Sequence, residues 1–147
     1  MTWTGDISRM GALADRLGDL ARVPSRVAAR VADDLEAEVQ AEFDAGADPY
    51  GTPWAPLAPY TLAKPRHPPP LTDTGAMRDS LRIAPMAGAG VEITIDHPAA
   101  PHQTGWSGRQ GWGPARPILP DRGALPPAWQ AIIADACEDE FREAVGT

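Results

Sequence analysis

Sixteen of the chain's 17 prolines fall between residues 49 and 127, residues 1–48 hold only Pro24, and residues 128–147 hold none. Proline lacks a backbone N–H and its ring clashes with the preceding turn, so it is excluded from helix interiors and central strands. Long helices are therefore confined to the two ends of the chain. The middle has to be built from extended arms, short turns and edge strands. At 147 residues the whole fits a single domain with one core.

Hydrophobic periodicity fills in the ends. Met10, Leu13, Ala14, Leu17 and Leu20 recur at intervals of three and four, and Val27, Val31, Leu35, Val39 and Phe43 at intervals of four. The pattern predicts two helices in the helical region 1–48. Pro24 then occupies the first turn of the second helix, with Ser25 helping to cap it. A spacing of four overshoots the helical period, so Ala28 and Ala32 are expected to share the buried seam. Gly46 and Pro49 in "DAGADPYG" mark the helix end. In the C-terminal helix, 128–147, the predicted apolar face is Trp129, Ile132, Ile133, Ala136, Cys137, Phe141 and Ala144, with Cys137 half-buried.

Eight prolines stand in residues 49–72, interleaved with Trp54, Leu57, Tyr60 and Leu62, which predicts an extended arm packed on protein. Region 73–127 opens with "DTGAMRDSLRI". Here Asp73 or Thr74 caps a one-turn helix, Gly75 allows a tight entry, and Met77 and Leu81, with Ser80 beside them, face the domain as a structural cassette. Val91, Ile93 and Ile95 alternate with Glu92, Thr94 and Asp96, so 80–86 and 91–96 should pair as a hairpin through Ala87–Gly90, with Pro85 at an edge. "HPAAPHQTG" fits one helical turn ending at Gly105, and "WSGRQGWGPARPILP" an exposed loop or small hairpin. The fold class is α+β: long N- and C-terminal helices on a small antiparallel sheet, with a proline-rich arm and a Gly/Trp-rich loop.

Residues suited to chemistry are scarce. His97 and His102 are five apart, which suits neither a helical nor a strand metal pair, and His67 reads as a solvated loop residue. The single Cys137 sits among acids that oppose thiolate formation. No phosphate-loop, dinucleotide or zinc-protease motif occurs. No catalytic residue, metal or cofactor is expected. The longest uncharged apolar stretch, 83–91, contains a proline and two glycines, so no membrane span is expected. The start of the chain, interrupted by Asp6, Arg9, Asp15 and Arg16, does not read as an export signal.

Charge and aromatic content point to assembly. Acids outnumber bases ten to five in residues 1–48 and five to one in 128–147, whereas 98–127 holds Arg109, Arg116 and Arg122 against Asp121 alone. A net charge of −7 opposes tight duplex binding. Trp54, Trp106, Arg109, Trp112 and Arg116 lie on proline- or glycine-rich segments and have the composition of protein-interface anchors, so they are assigned to a subunit interface, with a satellite core beneath the subunit's own loops as the alternative, above all for Trp54. Acidic helix faces of one subunit would receive such arginines from another. A cytoplasmic adaptor or toxin-like binding module is the other class that this composition fits.

"FDAGADPYGTPWAPLAPYTL", "LTDTGAMRDSLRI", "HQTG" and "ARPILP" occur in that order over roughly residues 35–122, carried by Phe43, Gly51, Trp54, Leu57, Thr61, Leu71, Thr74, Gly75, Met77, Ser80, Leu81, His102, Gly105, Arg116 and Pro117. The combination resembles the phage virion-morphogenesis or tail-completion family. The resemblance implies a non-catalytic α/β neck protein that forms a homo-oligomeric ring, often of six subunits, between capsid connector and tail. It also implies assembly in the host cytoplasm, contact with other neck, adaptor or tail-tube proteins, and DNA passing through the lumen without tight binding. On this resemblance "TGAMRDSL" seats the arm on the domain.

Overall fold

The computed structural model describes residues 8–66, 68–96, 99–109 and 111–146. His67 and His97 lie outside the described residues, as do residues 1–7 and the side chains of Met10 and Leu13. The elements are α1 (Ser8–Ala45), α2 (Pro59–Leu62), α3 (Ala76–Asp79), β1 (Arg82–Pro85), β2 (Val91–Thr94), α4 (Ala99–Thr104), β3 (Trp106–Gly108), β4 (Gly111–Gly113) and α5 (Pro127–Val145).

The two helices expected before residue 48 are one. Helix α1 runs through Pro24 without a break. Pro24 is exposed, and its missing N–H leaves the Leu20 carbonyl without its usual helical donor. The remaining cost of an internal proline, about 3 kcal/mol, is borne by the packing of the seam that follows. That seam holds Ala28, Val31, Ala32, Leu35, Val39 and Phe43, all buried, so the alanines do share it. The helix stops at Gly46, whose φ is 64°. Gly46 N–H donates to Phe43 O and Ala47 N–H to Glu42 O, the paired bonds of a Schellman end.

Helix α5 packs along α1, joined by the Trp129 indole donating to Glu42 Oε1 at 3.0 Å and Arg26 Nε donating to Glu140 Oε2 at 2.8 Å. The pairings 42 with 129 and 26 with 140 make the helices antiparallel. The predicted face of α5 needs correcting. Cys137 and Phe141 are exposed, and Glu140 is buried in their place beside Trp129 and Ala136. Arg26 supplies the reason: with a cation to receive it, a carboxylate is accepted at a seam position, and Cys137 and Phe141 beside it on the helix turn outward.

Strands β1 and β2 form the expected hairpin, with Ile83 opposite Ile93 and Pro85 opposite Val91. Met86 N–H donates to Gly90 O, which by alternation makes 85/91 a non-hydrogen-bonded pair and leaves the proline's missing donor unneeded. Strands β3 and β4 form a separate two-stranded sheet, so the Gly/Trp-rich segment is a small hairpin. The core gathers Leu35, Val39, Phe43, Met77, Leu81, Ile118 and Trp129 with Trp54 of the arm.

Candidate functional site

The turn after α1 determines where the arm starts. Asp48 Oδ1 accepts from Tyr50 N–H (2.9 Å) and Thr52 N–H (2.7 Å), and Trp54 N–H reaches back to Gly46 O (2.8 Å). The reversal lays Trp54 edge-on against Phe43, with ring centroids 5.5 Å apart. Beyond it, Pro56 and Pro59 bring carbonyl acceptors but no N–H donors. A chain this rich in proline has surplus acceptors, and side chains have to supply the donors.

Around residues 114–119 three side chains do so. Trp54 Nε1 donates to Pro117 O at 2.7 Å. Arg116 donates from Nε to Ala55 O (2.7 Å) and from Nη2 to Pro56 O (2.8 Å). Gln103 acts as a strand partner would, accepting from the N–H groups of Ile118 (2.9 Å) and Leu119 (3.0 Å) and donating to Leu119 O (2.7 Å). Residues 114–119 thus form a strut pinned to the arm on one side and to α4 on the other. Burial lowers the pKa of Arg116, but a guanidinium stays charged at neutral pH, and carbonyl oxygens receive it here.

A hairpin stands on this strut. Arg116 N–H donates to His102 O at 2.7 Å, and His102 meets the Trp106 ring edge-on at 5.2 Å. Burial, and then the nearby Arg116 charge, lowers the His102 pKa, so the imidazole is neutral at pH 7. Trp106 lies across Gly113: a Cβ at that position would stand 2.1 Å from the indole. Gly113 is therefore obligatory while Trp106 keeps its place. Trp106 is 42% exposed and Trp112 76% exposed. Arg109 is exposed at the turn between β3 and β4. Between hairpin and arm runs a groove of about 660 Å³, walled by Pro56, Leu57, Pro59, Trp106, Trp112 and Arg116.

The five residues assigned to an interface thus separate into two sets. Trp106, Arg109 and Trp112 present themselves to solvent. Trp54 and Arg116, each 6% exposed, lie inside the subunit as the pins beneath that surface. In the cassette Gly75 (φ 75°), and not Asp73 or Thr74, is the N-cap of α3 and has no side-chain cap bond; Thr74 Oγ1 accepts from Ala76 N–H at 3.3 Å, and Met77 and Leu81 are buried. Ser80 Oγ donates to Met77 O and accepts from Asp96 N–H, tying α3 to the chain beyond β2. Sequence reasoning missed Arg78, which joins the cassette to Gln40 and Asp44 of α1, and Gln103, because both act on partners distant in the chain.

A second cluster lies at the α1–α5 junction. Burial pushes the Glu42 pKa up to about 7, against the opposing Trp129 hydrogen bond and with Glu38 and Asp48 adding to the rise. Its Oε2 is buried without a partner. Among the described residues no group of three or more His, Cys, Asp or Glu side chains is placed to hold a metal ion, and no helix is long and apolar enough to cross a membrane.

Residues 6–139 match the model of the phage virion morphogenesis family. A search of curated proteins and one of solved structures found no match.

Proposed function

Because the chain belongs to the phage virion morphogenesis family, we propose that its structural role in tail completion or connection is carried out as a closed homo-oligomeric ring, of six subunits, in the head–tail neck. Its place is among the structural proteins of the virion, with which it interacts. On this reading it assembles in the host cytoplasm, contacts neighbouring neck, adaptor or tail-tube proteins, and lets DNA slide through a lumen faced by its acidic helices.

One observation carries the reading: two exposed tryptophans on a surface that the subunit stiffens from below. An isolated domain gains little from showing Trp112 to water, whereas assembly hot spots are enriched in tryptophan and arginine and work best when preorganised. Trp106, Arg109 and Trp112 are assigned to the contact itself, and Trp54 and Arg116 to holding its shape. The cassette of Thr74, Gly75, Met77, Ser80 and Leu81 keeps the arm's return in register with α1.

Native mass measurement of the purified protein over a concentration series tests this. The expected result is a single closed oligomer that disassembles on dilution. A monomer at every concentration, in a protein also missing from finished particles, would contradict it.

A further inference from the structure

At the α1–α5 junction a cavity of about 390 Å³ lies between the last turns of α1, the 47–51 turn and the start of α5. Its rim is exposed at Ala41, Ala45 and Gly51, and its floor is buried at Glu42 and Asp48. Glu38 also lines it, four residues before Glu42 and so on the same face of the helix. Ala41, Ala45, Ala47, Pro127 and Ala128 make the wall largely apolar.

The acids here are not equally provided for. Asp48 is satisfied: Oδ1 accepts from Tyr50 and Thr52 N–H, and Oδ2 accepts from Arg122 at 3.2 Å. Glu42 has only one carboxyl oxygen engaged, Oε1 by the Trp129 indole, and Oε2 is buried without a hydrogen-bond partner. The charges acting on Glu42 are Glu38 and Asp48, both acidic. Helix α5 offsets neither, since residues 126–134 hold no acid or base. Tyr50, the remaining titratable residue of the wall, donates its hydroxyl to Ala124 O at 2.8 Å.

A buried carboxyl with no counter-charge is costly to ionise, and a cation that reaches it offsets that cost. The wall favours one kind of cation. An ammonium is strongly hydrated, whereas a guanidinium sheds water more easily and its fork of donors can bridge two carboxylates. An apolar wall suits the alkyl stem behind such a head. We propose that this cavity receives the guanidinium of an arginine side chain presented by a partner protein, held between Glu42 and Glu38. The inference does not depend on the ring reading above.

Nα-acetyl-arginine N-methylamide, titrated into the full chain at constant ionic strength, tests this through the NMR signal of the Trp129 indole N–H. The expected result is a saturable shift whose affinity rises about tenfold from pH 6 to pH 8, because the ionised form of Glu42 binds and its carboxyl titrates at about 7. The citrulline analogue, a neutral isostere, should not bind, and the lysine analogue should bind more weakly. Glu42→Gln keeps an acceptor for Trp129 but should lose the pH dependence and most of the binding. Glu38→Gln, at a half-buried position, should weaken binding and leave the pH dependence in place. No saturable shift at pH 8, or equal binding of the citrulline analogue, would overturn the inference. Tighter binding of the lysine analogue, or unchanged binding to Glu42→Gln, would do the same. Agmatine binding where the acetylated probe does not would assign the cavity to a free guanidine and overturn the partner's part in it.

Discussion

Helix α1 satisfies its backbone from within, while the arm at 53–59 and the strut at 114–119 depend on donors from Trp54, Gln103 and Arg116. In the helix pair the backbone hydrogen bonds come from the helices' own turns and not from side chains. In the proline-rich half the same task falls to single side chains, so one substitution there strips a buried carbonyl of its donor. The difference teaches where this fold is fragile. It also explains how a segment with so little regular structure holds a surface in one shape.

The largest expected effect breaks a pin. Trp54→Ala removes a buried ring from Phe43 and the donor from Pro117 O, and should lower stability by about 3–5 kcal/mol in urea unfolding. Trp54→Phe keeps an aromatic ring, though a smaller one, and loses the N–H, so it should cost about 1–3 kcal/mol. If Trp54→Ala is as mild as a surface truncation, the strut is held by something other than its side-chain donors, and the contrast between the halves fails.

A smaller effect probes the helical half, where Glu42 is buried without a partner for its Oε2. The folded chain holds the Glu42 proton more tightly than the unfolded chain, its pKa raised from 4.5 to about 7. Its contribution is fully present below about pH 4.5 and is lost as pH rises through about 7. Glu42→Gln stays neutral and keeps an acceptor for Trp129. It should match the wild type near pH 4.5 and exceed it by on the order of 2 kcal/mol at pH 8. Parallel stability–pH curves for the two proteins would show that Glu42 ionises without strain.

Legibility in the sequence followed the same division. Gly46, the β1–β2 hairpin and the α4 turn ending at Gly105 were readable because their signals are local: a left-handed glycine, a period of two, a glycine stop. Family resemblance was readable from the order of short motifs. The continuity of α1 through Pro24 was not, since tertiary packing of Val31 to Phe43 outweighs a local penalty. Nor was the exchange of Cys137 and Phe141 for Glu140, because the seam's tolerance for a carboxylate depends on Arg26, 114 residues away. Trp54 and Arg116 looked like interface anchors by composition. Their indole and guanidinium donors meet carbonyls that only the folded arm brings within reach.

Trp112→Ala tests the central claim most directly: the proline-rich half is pinned from within so that its outer tryptophans are free for assembly. Trp112 is 76% exposed, so unfolding of the isolated subunit should change by no more than about 0.5 kcal/mol. Measured on the same preparation, ring assembly should weaken by about 1–3 kcal/mol. A variant that melts early as a monomer, yet assembles normally whenever it is folded, would place Trp112 in the subunit's own packing and contradict the account.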